Sequence, residues 1–431
     1  MYEIFDKESF LSSLSLLKER WNRNPLRLTI ILAVVCFVAG WLVPDPWGNS
    51  EDSNELEEIA EGGETMKQEV PVDTILTYPD GSVYKGSFMV SSNTREGYGR
   101  LTFKDGKSYC EGEWKSDVLE YGEKATTSST YLGHLDTNQR NNGYGISTYS
   151  DSYVKGKREQ GMPDSQIIKS YSGNWKEDMK SGIGFAVMAD GSMTFGNYTS
   201  GKLDPVLGKQ FTVGDKVYGL DLSHHQSRVD WDNLAVYCDA NGIRSNKKSA
   251  FMQPVFFAYV KATEGSTYQD NMYDKHLSDA KKHGVVVGSY HFYRMANPVE
   301  SQVKNFLDMA KYTEGDLPPV LDVEGKPGDI EQYGSDKFQK EVLDWLDRIE
   351  KELHVRPIIY TRDDIKERFL TDSRFIKYDF WMARYNNAGP DYQQWRFWQQ
   401  TESGWIKGCN RTVDINVFNG SYKDFQQYLK R

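Results

Sequence analysis

The sequence is poor in cysteine and in net positive charge, and it holds one long apolar run. Its four cysteines, Cys36, Cys110, Cys238 and Cys409, lie far apart and form no Cys-x-x-Cys pair. Neither a disulfide framework nor a zinc site is indicated. Lys and Arg number 52 against 62 Asp and Glu, a formal net charge of −10. That balance lacks the basic face that phosphate backbones require, so no nucleic-acid partner is expected. The seven histidines include no His-x-x-x-His pair or His-rich stretch, and no metal or other cofactor is expected. Hydrophobic residues still reach 38% of the 431. This excludes a wholly disordered chain and suits about two to three folding units.

The apolar run, residues 28–43, comprises 16 uncharged residues. As a helix it would span roughly 24 Å, a little short of a hydrocarbon core of about 30 Å. Arg27 can snorkel at one end, and Trp41 and Trp47 suit the interface at the other. Lys18, Arg20, Arg23 and Arg27 precede the run, whereas Asp45, Glu51, Asp52, Glu55, Glu57 and Glu58 follow it. The positive side should stay cytoplasmic. Residues 1–27 then form a cytoplasmic segment and 28–43 a single-pass anchor in a bacterial cell membrane. The rest lies on the periplasmic or extracellular side. A cleaved signal peptide or a buried soluble helix are the competing readings. The first would have an unusually long charged region and no clear small-x-small site after the run. Residues 44–77 are acidic and read as a flexible linker.

From about residue 78 to 207 one pattern recurs: aromatic, Gly, aromatic, then Gly-x-Gly. Copies include Tyr84-Lys85-Gly86-Ser87-Phe88 with Gly97-Tyr98-Gly99, and Tyr131-Leu132-Gly133 with Gly143-Tyr144-Gly145. A further copy is Tyr171-Ser172-Gly173-Asn174-Trp175 with Gly182-Ile183-Gly184, and Gly112-Glu113-Trp114 is a partial one. Asp80-Gly81, Asp105-Gly106 and Asp190-Gly191 supply hairpin turns. Successive hairpins would stack into an elongated, all-β antiparallel sheet. This stretch resembles MORN repeats. The resemblance implies docking of a protein or lipid partner, or self-association; a plain spacer is the alternative. No residue here looks catalytic.

Residues 208–431 read differently. Strand-like runs at 218–222, 255–263, 285–292, 319–324, 357–361, 380–385, 397–401 and 414–418 alternate early on with amphipathic helices at 273–283, 299–311 and 330–354. This predicts an α/β domain with a parallel sheet and right-handed crossovers, closed by eight strands into a TIM-like barrel. The last connections are short, so the final strands should lack full helices and the barrel should be irregular. Residues 239–253 look like an insertion able to reshape the rim.

Acidic residues mark strand ends. Asp221 sits on the first strand, Asp322 and Glu324 on the fourth, and Asp414 opens the eighth. Residues i and i+2 on a strand share a face, and first and eighth strands are neighbours in a closed barrel. Four carboxylates in one aromatic-lined cup repel, so at least one should hold a proton at neutral pH. A protonated carboxyl beside an ionised one is what glycosidic cleavage needs. The bland alternative for Asp221 and Asp414 is a structural pairing with Lys or Arg. Lys261, Tyr290, Tyr360, Arg384 and Gln399 lie near strand ends, where sugar contact and plain packing are both open. His291 reads as a satisfied, near-core histidine.

Several segments carry a resemblance: Gly219-Leu220-Asp221-Leu222-Ser223, Phe257-Ala258-Tyr259-Val260-Lys261-Ala262-Thr263-Glu264-Gly265, Gly288-Ser289-Tyr290-His291-Phe292, Pro319-Val320-Leu321-Asp322-Val323-Glu324, Trp381-Met382-Ala383-Arg384-Tyr385 and Val413-Asp414-Ile415-Asn416. From about 217 to 429 the chain resembles family 25 glycoside hydrolases, lysozymes (N-acetylmuramidases) of bacterial and phage type. The resemblance implies hydrolysis of the β-1,4 bond between N-acetylmuramic acid and N-acetylglucosamine in peptidoglycan glycan strands. It implies Glu324 as general acid, and Asp322 as the carboxylate that steadies the developing cation through the substrate's N-acetyl group. Asp221 and Asp414 match the supporting acids. His224-His225-Gln226-Ser227 departs from relatives. A wall-binding or docking scaffold with little turnover is the alternative reading.

Overall fold

A computed structural model of the protein describes residues 70–204, 216–239, 241–249, 251–385, 389–390 and 395–430. The expected anchor at 28–43 and most of the linker lie outside the described residues. Among the described residues, no helix is long and apolar enough to cross a membrane.

Eleven strands form the repeat sheet, each paired with the next in the chain. They are β1 (Val72–Thr77), β2 (Val83–Met89), β3 (Thr94–Thr102), β4 (Tyr109–Lys115), β5 (Val118–Ala125) and β6 (Ser129–Leu135). Then come β7 (Asn141–Tyr149), β8 (Ile168–Lys176), β9 (Met179–Met188), β10 (Met193–Thr199) and β11 (Lys202–Leu203). The recurring glycines have one purpose. Gly86, Gly99, Gly112, Gly122, Gly133, Gly145, Gly173, Gly184 and Gly196 stand opposite one another in successive registers and form a line across β2–β10. Tyrosine rings lie in the furrow they leave. A Cβ on Gly99, Gly145 or Gly184 would fall 2.1, 2.3 or 2.2 Å from the hydroxyl of Tyr84, Tyr131 or Tyr171. Those hydroxyls donate to the carbonyls of Ser87, His134 and Asn174. Trp114 and Trp175 pack edge-on against Tyr84 and Tyr131 and donate to the carbonyls of Gly99 and Gly145.

Two details differ from expectation. β1 falls within the stretch assigned to the linker; its β-branched residues pair with β2 from Val72↔Phe88 to Thr77↔Val83. A helix, Asp151–Glu159, interrupts the all-β region between β7 and β8. Ser150 caps it by accepting from Tyr153 N, with Asp151 in its first turn and Lys157 and Arg158 in its last.

The second sheet closes. Its strands are β12 (Val217–Leu222), β13 (Ala235–Cys238), β14 (Phe251–Glu264), β15 (Tyr268–Gln269), β16 (Val286–Phe292), β17 (Val320–Asp322) and β18 (Ile358–Arg362). After them come β19 (Phe380–Ala383), β20 (Trp395–Gly404), β21 (Ile406–Lys407) and β22 (Val413–Phe418). The order is β12-β22-β20-β19-β18-β17-β16-β14, and a β12–β14 pair shuts the ring. These eight staves are the eight expected strands. Their direction is not all parallel, however: β22 runs antiparallel to both β12 and β20. The chain between β20 and β22 contains only β21 and no helix, which suits a hairpin-like return and not a crossover.

Alternation along the staves divides two cores. Phe257, Tyr259, Tyr360, Trp381, Phe397 and Phe418 fill the barrel interior. Ala258, Val260, Ile359 and Met382 face outward onto helices Tyr273–Lys282, Val299–Met309 and Ser335–Leu353. Phe425 and Tyr428 of the last helix, Tyr422–Tyr428, join the interior cluster. The helix expected over 330–354 is two, Pro327–Tyr333 and Ser335–Leu353, because Gly334 between them takes φ +102°. In place of a first crossover helix there is a short 3-10 turn, Trp231–Asn233, and then β13. None of the described residues of the insertion at 239–253 lines the cleft that holds the four acids. β13 pairs with the start of β14, and the Tyr218 hydroxyl at the start of β12 donates to Gly242 O at 3.0 Å.

The repeat sheet packs on the end of the barrel where its parallel strands begin. Phe185 meets Phe256 edge-on at 5.3 Å and also touches Tyr422. The Tyr144 hydroxyl donates to His283 O at 2.7 Å, and Asn174 Nδ2 to Asp232 O at 2.7 Å. The carboxylates lie at the other end.

Candidate active site

The antiparallel course of β22 brings its first residues to the end where the parallel strands finish. Asp414 thereby stands opposite Asp221 in the β12–β22 register. The two carboxyls therefore sit side by side, and Asp221 disfavours the charge of Asp414. Burial, and next the charge of Asp221, push Asp414 from an ordinary 3.8 up to about 9. Asp221 is likewise raised by burial, against the opposing effect of hydrogen bonds from Asn416 and Gln399.

One amide holds this pair. Gln399 Oε1 accepts from the hydroxyls of Tyr360 and Tyr385, both at 2.8 Å. Its Nε2 donates to Asp221 at 3.1 and 3.2 Å and to Asp414 at 3.3 Å. Asn416 Nδ2 donates to Asp221 at 2.7 Å, and Trp381 Nε1 in turn donates to Asn416 Oδ1 at 2.8 Å.

A cleft of about 570 Å³ opens above these groups. It is lined by all four acids and by Lys261, Tyr290, Tyr360, Trp381, Tyr385 and Gln399. Asp322 ends β17, whereas Glu324 lies just past it and is half-buried. Asp322 is 8% exposed, and its Oδ1 has no hydrogen-bond partner among the described protein atoms. Burial and then the charge of Glu324 hold the Asp322 carboxyl well above the usual range, with Lys261 opposing. Burial raises Glu324 as well, with Arg362 and Tyr360 opposing.

The expected sugar contacts divide. Lys261 and Tyr290 line the cleft; Lys261 Nζ also bonds Glu264 Oε2 at 2.6 Å. Tyr360 lines it too, with its hydroxyl committed to Gln399. Gln399 is 2% exposed and both ends of its amide are occupied, so it holds the acids. Arg384 does not line the cleft: its Nε lies 3.5 Å from Asp363 and its Nη1 donates to Gly389 O at 3.1 Å. His291 is buried between Thr263 Oγ1 at 2.7 Å and Gln302 Oε1 at 3.1 Å, and burial lowers it to about 4. Trp381, Tyr385, Asn416, Glu402 and Arg411 were not singled out from the sequence. The spacing Asp414-x-Asn416 on one strand face is the signal that would have pointed to Asn416.

The raised Asp414 has a stability consequence. In the unfolded chain its carboxyl ionises near 3.8; in the fold it keeps its proton to about 9. The stabilisation it gives is complete below the first value and fades as pH rises toward the second. Asp414→Asn keeps a donor toward Asp221 and cannot ionise. Its melting temperature is expected to match wild type at low pH and to exceed it increasingly from pH 4 to pH 9. Thermal unfolding across that range checks the sign; a gap that stays flat or narrows contradicts it.

A family model for glycosyl hydrolases family 25 matches residues 220–409, and one for the MORN repeat matches 84–108 and 171–193. The uncharacterised protein YegX of Escherichia coli is 33% identical over 215 residues, 49% of this chain and 73% of that protein. Lysozyme M1 of Streptomyces globisporus is 30% identical over 254 residues, 56% of this chain and 80% of that one. Among solved structures, a bacterial lysozyme from Streptomyces coelicolor has 28% identity and a TM-score of 0.42, covering 50% of this chain and 97% of its own.

Proposed function

This chain belongs to glycosyl hydrolases family 25, and on that premise we propose how its cleft works as a lysozyme on peptidoglycan. The bond cut is the β-1,4 link between N-acetylmuramic acid and N-acetylglucosamine. The observation that carries the mechanism is the buried Asp322 beside the half-buried Glu324 in one cleft. Burial pushes both toward their protonated forms, and the charge of Glu324 further discourages that of Asp322, so the pair keeps a proton at neutral pH. In the empty cleft burial favours that proton on Asp322. An acetamido N–H of the substrate set against the unpartnered Asp322 Oδ1 favours its carboxylate and leaves the proton on Glu324.

Glu324 then donates to the glycosidic oxygen as the bond to the anomeric carbon breaks. The acetamido carbonyl oxygen closes on that carbon, and Asp322 steadies the positive ring through its N–H. Water, deprotonated by Glu324, opens the ring and restores the proton. The Asp221–Asp414 pair, clamped by Gln399, holds one charge near the reacting centre without room for a second.

Mass spectrometry of muropeptides released from purified sacculi tests the reading. Products ending in reducing N-acetylmuramic acid are expected; products ending in reducing N-acetylglucosamine, or none, contradict it. The apolar run at 28–43, read as an anchor, and the acidic residues after it support a placement of the enzyme on the wall side of a bacterial membrane. The repeat sheet would stand between, with part of it spent on the barrel and the rest open to a protein or lipid partner.

A further inference from the structure

Beside the cleft lies a second groove of about 600 Å³. It is formed by the loops that follow β14, β16 and β17, on the same end of the barrel. Glu264, Tyr268, Arg294, Met295, Asp329 and Tyr333 line it. The two spaces share a wall: Lys261 and Phe292 face the cleft, and Glu264 and Arg294 face the groove. Lys261 Nζ meets Glu264 Oε2 at 2.6 Å, and Arg294 Nε donates to Glu264 Oε1 at 2.9 Å. The Phe292 ring lies 5.0 Å from Lys261 Nζ and 4.5 Å from the Arg294 guanidinium carbon.

The groove is preformed. Asn305, 5% exposed, donates from one Nδ2 to the carbonyls of Gly265 at 2.9 Å and Tyr268 at 3.1 Å. Asn297 Oδ1 accepts from Ser266 N at 2.9 Å. The loop that carries Tyr268 is therefore tied down from beneath, and the Tyr268 ring is 41% exposed.

Its charges are only partly used. Arg294 spends Nε and Nη2 on Glu264, while Nη1 has no partner among the described residues and the side chain is 53% exposed. The Asp329 carboxylate has no ion pair or side-chain hydrogen bond among the described residues. A guanidinium edge and a carboxylate, in one lining with two tyrosines and a methionine, suit a ligand bearing both signs of charge on a partly apolar chain. In a stem-bearing strand the lactyl carboxyl is capped as an amide and the sugars are neutral, so a further stretch of sugars alone would leave both groups without a partner. The peptide stem that leaves the lactyl ether of N-acetylmuramic acid carries carboxylates and, at a diamino acid, an ammonium.

We propose that this groove binds the peptide stem of the glycan strand whose bond lies in the cleft, with Arg294 taking a stem carboxylate and Asp329 an ammonium. The inference rests on the lysozyme reading. Its test uses the full chain and two substrates: glycan strands bearing their stems, and the same strands stripped by an amidase. Wild type is expected to show the higher kcat/KM on stem-bearing strands. Arg294→Gln and Asp329→Asn should each lower that value by about tenfold, while stripped strands are cleaved within about twofold of wild type. Equal losses on both substrates, making the groove a sugar site or a structural element, overturn the proposal. So do unchanged rates on both, or a wild type indifferent to the stem. If wild type releases no reducing ends from either strand, the lysozyme reading itself fails and this inference falls with it.

Discussion

Glu324→Gln is expected to lower kcat on peptidoglycan by about 10²–10⁴-fold, the range that a positioned general acid supplies. The fold should be unaffected. Glu324 is half-buried, lies beyond the end of β17, and the amide keeps its size. What the amide lacks is the transferable proton. KM should change little, because the loss falls on a step made only in the transition state. Release of reducing ends from purified sacculi gives the rate, and a variant with wild-type kcat would remove Glu324 from the mechanism.

Asp322→Asn is expected to cost about 10²–10³-fold in kcat, the scale of one preorganised group aimed at developing charge. The physical reason differs from that for Glu324. Asp322 sits where burial already opposes its ionisation, and its Oδ1 has no protein partner. Asparagine fills the same space and cannot supply the negative charge that the cationic ring requires. Stability should move the other way: with an ionisable group gone from a buried site, the variant is expected to melt above wild type at neutral pH. Loss of activity joined to a gain in melting temperature separates an electrostatic role from a structural one. Joint loss of both would show that Asp322 chiefly holds the fold.

Much of this was legible before the coordinates. The eight staves follow from apolar runs alternating with helical periods, and the acids stand out because charge at the end of an apolar strand needs a reason. What escaped notice is instructive. The direction of β22 depends on the absence of a helix between β20 and β22; a parallel strand would have put Asp414 at the wrong end of the barrel. Gln399 is one of two adjacent glutamines in the sequence, and its role depends on Tyr360, Tyr385, Asp221 and Asp414 from four other segments. The split at Gly334 turns on a backbone angle that helical periodicity cannot report. Phe185 and Phe256 read as ordinary core residues of separate domains, although they pack against each other. Removing the repeats would therefore bare an apolar patch on the barrel.

The account depends on a cluster of buried carboxyls that retains protons at neutral pH. The infrared spectrum of the wild-type protein in heavy water at pH 7 tests this most directly. A carbonyl band of protonated carboxyl groups is expected, weakened in Asp414→Asn and again in Asp322→Asn. A spectrum with carboxylate bands alone, the same in all three proteins, would contradict it.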